Sequence, residues 1–233
     1  VKWTAIVLTA TVMILAAGGS ASAQDLTGKI GFVPELGLLM PMGDFGSKDS
    51  TAEENMDVGY AKTGFGFGGA LEYYFSSNLA LGGKFFYNRF GFDTADFEEG
   101  TPSEIDWDAH WKVIQYGAYL KYVFTPESQT KVFGRAGVIF GKPKATITGS
   151  YAGVSADAEL EVDSAVGFDA GFGIMHMTDE SIGISLAVDL NYLSTDGKDV
   201  TLTAADETMT VETNFSTMWV GLKVCGVFLF GGS

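Results

Sequence analysis

The residues able to do chemistry in this chain fall in two settings: polar stretches open to a ligand, and apolar segments that carry isolated charges. In the first setting, 103-SEIDWDAH-110 places Asp106, Asp108 and His110 at alternate positions. Two carboxylates and an imidazole on one side of an extended segment could hold a divalent cation. The plainer reading is a solvated acidic loop, because Asp93, Asp96, Glu98, Glu99 and Glu104 precede the set with no Lys or Arg among them. The three residues are therefore only weak metal candidates, and neither a metal nor a cofactor is expected. The other histidine, His176, has Thr178 nearby but no acid in its own register, which falls short of a hydrolytic triad. Gly64, Gly66 and Gly69 match G-x-G-x-x-G, yet they lie inside an alternating apolar segment instead of between a strand and a helix. No catalytic residue is expected.

The second setting is more informative. The stretch 64-GFGFGGALEYYF-75 alternates small and large side chains and sets Glu72 in the small register. A carboxylate there needs elements that explain it. The chain has 233 residues, enough for one large all-β domain, and 31 of them are glycine. Asp and Glu outnumber Lys and Arg by 29 to 14, which argues against binding nucleic acid through its phosphates. The single cysteine, Cys225, cannot form an intramolecular disulfide. At the N-terminus, Lys2 precedes an apolar run from Ala5 to Ala17 and then 18-GGSASA-23. This is the pattern of a cleavable signal peptide over 1–23, leaving 24–233 as the folded domain. No later apolar run is long enough for a transmembrane helix.

Period-2 alternation supplies another way to cross a membrane. It predicts strands over 29–41, 63–75, 79–92, 111–124, 131–142, 165–177, 182–194 and 215–230. The connections 76-SSN-78, 125-TPESQT-130 and 178-TDES-181 are short, and the others are long. Eight such strands with alternating short and long connections predict an all-β fold: an antiparallel up-and-down transmembrane β-barrel with four long extracellular loops and three short periplasmic turns. In the segment 182–194, Ile182, Ile184, Leu186, Val188, Leu190 and Tyr192 alternate with Gly183, Ser185, Ala187, Asp189 and Asn191. The second register is too rich in glycine and too poor in charge for a water-facing surface. Placing the apolar register against lipid and the other toward the lumen suits both.

Glu72 then belongs to a lumen charge network with Glu35, Lys84, Lys121, Arg135, Asp169, Asp189 and Lys223, four acids and four bases. An eight-stranded barrel is just wide enough for side chains to fill, so these charges must find one another. Adjacency in the strand order pairs Glu72 with Lys84, Arg135 with Asp169, and Lys223 with both Glu35 and Asp189, and leaves Lys121 to reach across. The outward register carries an aromatic girdle near each end: Tyr73, Phe75, Tyr122, Phe124, Phe228 and Phe230 at one, Tyr87 and Tyr192 at the other.

On these grounds the sequence resembles the small eight-stranded outer-membrane β-barrel proteins, the OmpA-like and OmpX-like family. The likeness covers nearly all of 29–230 and includes 36-LGLLMPMGDFG-46 and the final segment 224-VCGVFLF-230. In that family a terminal aromatic is read by the outer-membrane assembly machinery; here 231-GGS-233 follows Phe230. Pro34 is a second departure, since it removes a ladder hydrogen bond, and a bulge or irregularity is expected there. The resemblance implies a bacterial outer-membrane location and partners in outer-membrane lipid, lipopolysaccharide and that machinery. The expected role is non-enzymatic, in envelope structure or surface interaction through acidic loops. The alternatives are an OmpW-like conduit or pocket for small apolar molecules, and a lipid-A-modifying barrel enzyme.

Overall fold

The computed structural model describes residues 25–47, 58–94, 106–151, 154–204 and 207–231, without the side chains of Asp106 and Val154. Residues 1–23, read from the sequence as a signal peptide, and the acids between 95 and 105 lie outside the described residues. In chain order the elements are β1 (Ile30–Met42), a 3-10 turn (Gly43–Gly46), β2 (Ala61–Tyr74), β3 (Leu79–Phe92), β4 (Asp106–Val123), β5 (Thr130–Tyr151), β6 (Val154–Val162), β7 (Ala165–Met177), β8 (Ile182–Leu193), β9 (Asp199–Ala204), β10 (Glu207–Glu212) and β11 (Thr217–Phe230).

Eight of these close into an antiparallel ring in the order β1-β2-β3-β4-β5-β7-β8-β11 and back to β1. Closure leaves no edge inside the wall and pairs its backbone groups along both sides of every strand, which a lipid environment demands. Ladder partners can be followed once round the ring: Ile30, Tyr73, Leu81, Leu120, Ala136, Ala170, Leu190, Val220 and then Met40. The walk returns to β1 ten residues higher, from Ile30 to Met40. That stagger obliges the strands to tilt against the barrel axis. Outward side chains are apolar and exposed, Leu36 by 67% and Leu71 by 61%, whereas their inward neighbours are buried.

The short turns 75–78, 124–129 and 178–181 share one end of the barrel with the start of β1 and the end of β11. We call this the short-turn end and the opposite one the long-loop end. At the long-loop end the structure goes beyond the expectation. β4 has 18 residues and β5 has 22, so both run well past the apolar band. β6 pairs with the upper part of β5, β9 with β6, and β10 with β9. Residues 143–164 and 195–216, read from the sequence as loops, are thus largely strand. Their alternation persists in 143-PKATIT-148, but the outward register turns from greasy to Lys and Thr, so the mark of a lipid-facing strand fades while the strand continues.

The irregularity expected at Pro34 is present: the ladder of β1 with β11 has no pairs at Val33 and Pro34, and because the register is the same on either side of the gap it is an interruption and not a bulge. A register shift that the sequence did not suggest lies in β2, between Lys62 and Gly64.

Candidate functional site: a buried ionic network in the lumen

The inward register of each barrel strand brings all eight charged residues named above into the lumen, buried to between 0% and 6% exposure. Along β4 the inward side chains run Val123, Lys121, Tyr119, Gly117, Gln115, Val113 and Trp111, from the short-turn end upward. Along β8 they run Ser185, Ala187, Asp189, Asn191 and Leu193.

Near the short-turn end, Glu72 accepts hydrogen bonds from the hydroxyls of Tyr74 at 2.7 Å and Tyr119 at 2.6 Å, and from Lys121 Nζ at 2.9 and 3.2 Å. Lys121 also sits 4.4 Å from the centre of the Phe133 ring. The next group joins four charges. Arg135 donates to both Glu35 oxygens, at 2.8 and 3.2 Å, and to both Asp189 oxygens, at 3.2 and 2.5 Å. Lys223 reaches Glu35 at 3.0 Å and Asp189 at 2.8 Å, and lies over the Phe86 ring. Bidentate guanidinium contacts of this kind fix geometry as well as charge. Lys84 Nζ is 2.9 Å from Asp169 Oδ2, a close ion pair that is not aligned as a hydrogen bond. Farther toward the long-loop end, Asn88 donates to Gln115 and Gln115 to Asn191, at 3.2 and 2.9 Å.

Adjacency therefore gave only some of the pairs. Lys223 meets Glu35 and Asp189, its neighbours in the strand order. Glu72 and Lys84 lie on adjacent strands one diagonal step apart, but Glu72 is taken by Lys121 and Lys84 turns to Asp169. Arg135 passes over Asp169 for Glu35 and Asp189. Glycine makes these cross-lumen reaches possible. A Cβ at Gly82 would stand 2.4 Å from the Tyr119 ring, and one at Gly171 would stand 1.8 Å from Asp189 Oδ1.

The sequence reading missed two groups. Lys131 shares the inward register with Phe133 and Arg135 and is fully buried, donating to the carbonyls of Pro126 and Ser128 in the turn below it. Counting positions back from Arg135 would have found it; the charged set of the lumen is then not neutral. The second group is an aromatic cluster at the long-loop end. Gly43, at φ 57°, adopts the left-handed turn that sends Phe45 back into the barrel mouth. There Phe45 meets Phe90, Trp111 and Phe215 at ring distances of 5.2, 5.7 and 6.4 Å. Phe45 lies in a polar stretch with no alternation, so only the fold reveals it.

Of the remaining candidates, Asp108 and His110 share the outward register of β4, and the side chain of Asp106 is outside the described residues. Among the described residues no group of three His, Cys, Asp or Glu is placed to hold a metal ion. His176 Nδ1 lies 2.9 Å from Thr130 Oγ1, while the Thr178 hydroxyl donates to Ile182 O within its own turn. The residues named for the girdle lie in the outward register, Phe124 exposed by 54% and Phe230 by 58%, with Tyr87 and Tyr192 half-buried.

A closed eight-stranded wall with a greasy exterior and an ionic interior is an arrangement for a membrane. The sequence matches the outer membrane protein beta-barrel domain family over residues 8–223. The chain belongs to that family. It is an outer-membrane β-barrel protein, located in the bacterial outer membrane. The fold is similar to that of the outer membrane protein OprG of Pseudomonas aeruginosa, with a TM-score of 0.56, 13% identity, and coverage of 91% of this chain and 100% of that one. It is also similar to a major outer membrane protein of Thermus thermophilus, with a TM-score of 0.53, 11% identity, and coverage of 86% and 99%. Ail of Yersinia pestis matches at 0.45 and 16% identity, over 88% and 99%. A search of curated proteins finds no significant match.

Proposed function

We propose that this protein is a non-enzymatic, non-conducting barrel that serves envelope structure or surface interaction, with the long-loop end facing outward. The observation that carries this reading is the buried ionic network. Its charges contact one another across the lumen instead of lining an open path, between an aromatic cluster above and an apolar cluster of Leu26, Val123, Phe133, Met175 and Leu229 below. Phe230 at the end of β11 would be offered to the assembly machinery, and the outward apolar register to outer-membrane lipid. Single-channel recording in planar bilayers tests the reading: the folded protein should show no steady conductance. A stable channel in the wild type would refute it.

One observation favours a second reading, a pocket for small apolar molecules. The projecting sheet carries an apolar face in rows such as Ala145, Leu160, Leu202 and Met209, continuous with the mouth cluster. Quenching of Trp111 by an added apolar ligand, abolished in Leu202→Asp, would support it.

A further inference from the structure

Five of the 14 Lys and Arg residues of this acidic chain gather on one outer patch of β2 to β5. They are Lys62, Arg89, Lys112, Lys142 and Lys144. Arg89 stands directly opposite Lys112 in the ladder, and Lys112 directly opposite Lys144. Like charges facing one another across strands are destabilising, so such a row calls for an anion.

The row lies at a single depth. Ladder partners climb ten residues per circuit of eight strands, so constant depth means dropping about one and a quarter residues at each strand. Lys62 faces Gly91, two residues beyond Arg89; Arg89 faces Lys112; Lys112 faces Lys144, two residues beyond Lys142. Lys62, Arg89, Lys112 and Lys142 thus follow the horizontal. Directly beneath them, at the same spacing, come Phe65, Tyr87, Ile114 and Phe140, which belong to the apolar exterior. The basic row therefore marks the upper border of the greasy wall, where lipid headgroups lie.

The ends of the row are answered by acids. Lys62 pairs with Asp93 at 3.1 Å, Lys144 with Glu159 at 2.8 Å, and Lys142 with Glu161. The two central cations, Arg89 and Lys112, have no hydrogen bond or ion pair among the described residues. Asp108, further along the outward register of β4, forms no ion pair with either. Beside them His110 has both ring nitrogens buried and unbonded. Burial, then Arg89 and Lys112, hold its imidazole below the ordinary range against the opposing pull of Asp108. A neutral imidazole still offers one N–H to a ligand.

We propose that this row, centred on Arg89 and Lys112, binds the phosphoryl group of a membrane lipid in the leaflet nearest the long-loop end. A guanidinium suits a phosphate oxygen pair, and an ammonium beside it adds a point charge. The site rests on the reading that the long-loop end faces outward only for the identity of the leaflet, not for the binding itself.

The test uses the full folded protein in phosphatidylcholine nanodiscs that carry a minor fraction of lipid A in both leaflets, either bis-phosphorylated or dephosphorylated. Lipid retained on the protein is read by native mass spectrometry. The wild type should retain the phosphorylated form preferentially, and less of it as ionic strength rises. Arg89→Gln with Lys112→Gln should lose about thirtyfold in affinity, taking about fivefold for each basic residue near an anionic lipid. The charge-matched pair Lys29→Gln with Lys198→Gln should retain lipid as the wild type does, and the swap Arg89→Lys with Lys112→Arg should keep most of it. Equal retention of the two lipid forms, or an unaffected Arg89/Lys112 double variant, overturns the proposal. Displacement of lipid by free pyrophosphate at equal concentration overturns its assignment to a lipid headgroup. With lipid in both leaflets the outcome is independent of orientation, and conductance reports separately on the closed lumen.

Discussion

Glu72 and Lys121 provide the sharpest test of the lumen geometry. Removing one partner of a buried ion pair typically costs about 3–5 kcal/mol, because the other is left uncompensated. Here the two losses should differ. Lys121→Met leaves Glu72 with two tyrosine hydroxyls but no cation, so most of that cost should appear. Glu72→Gln leaves Lys121 with the Tyr74 hydroxyl at 3.2 Å and the Phe133 ring, so about 2–3 kcal/mol is expected. The double variant should cost less than the sum by about 2 kcal/mol, the coupling of residues in direct contact. Free energies would come from urea titration in lipid vesicles, with the folded fraction read as the heat-sensitive gel band. The control is the cycle of Glu72→Gln with Lys84→Met. Those residues are also close in the ladder, but their ion pairs go elsewhere, so additivity within about 0.5 kcal/mol is expected. Additivity in the Glu72–Lys121 cycle, or stronger coupling in the Glu72–Lys84 cycle, would refute the assignment of partners.

Gly171→Ala should destabilise the barrel by about 1–3 kcal/mol in the same titration, since its Cβ would press on Asp189 Oδ1 at 1.8 Å. Gly83→Ala, with nothing within 4 Å, should be nearly silent. Phe45→Ala should expose the aromatic mouth, read as a red shift and faster quenching of tryptophan emission, while conductance stays absent because the ionic layer below is untouched. Glu161 is held below its ordinary carboxylate range by the hydrogen bond from Lys142. Its contribution is present above the ordinary value and lost as pH falls through the lowered one, so Glu161→Gln should matter slightly at pH 7 and not at all in strong acid. The pair is exposed, so the difference should stay below about 1 kcal/mol.

The wall of the barrel was legible in the sequence because lipid writes the same rule on every strand. Val166, Phe168, Ala170, Phe172 and Ile174 facing out, with Gly167, Asp169, Gly171 and Gly173 facing in, leave one choice of register. The partners inside the lumen were less legible. Neighbouring pairs such as Lys223 and Glu35 follow from strand order alone. Arg135 with Glu35, or Lys84 with Asp169, depend on which residues share a depth, and depth depends on the ten-residue stagger that no local pattern encodes. β6, β9 and β10 escaped for a different reason. Outside the membrane the outward face no longer needs to be greasy, so Thr201, Thr203, Thr208 and Thr210 read as loop although they alternate as strictly as the rest.

The overlong β5 has a mechanical side. From Lys142 to Tyr151 it climbs about 30 Å along its own axis, or about 20 Å above the headgroups at the usual tilt. β4 and β6, bonded to either flank, stiffen it into a mast instead of a tether. With the long-loop end outward, as proposed, anything grafted between Tyr151 and Val154 would be carried at a set height above the cell. An epitope inserted there should be reached by antibody on whole cells through a sugar layer that hides one placed at Ser216.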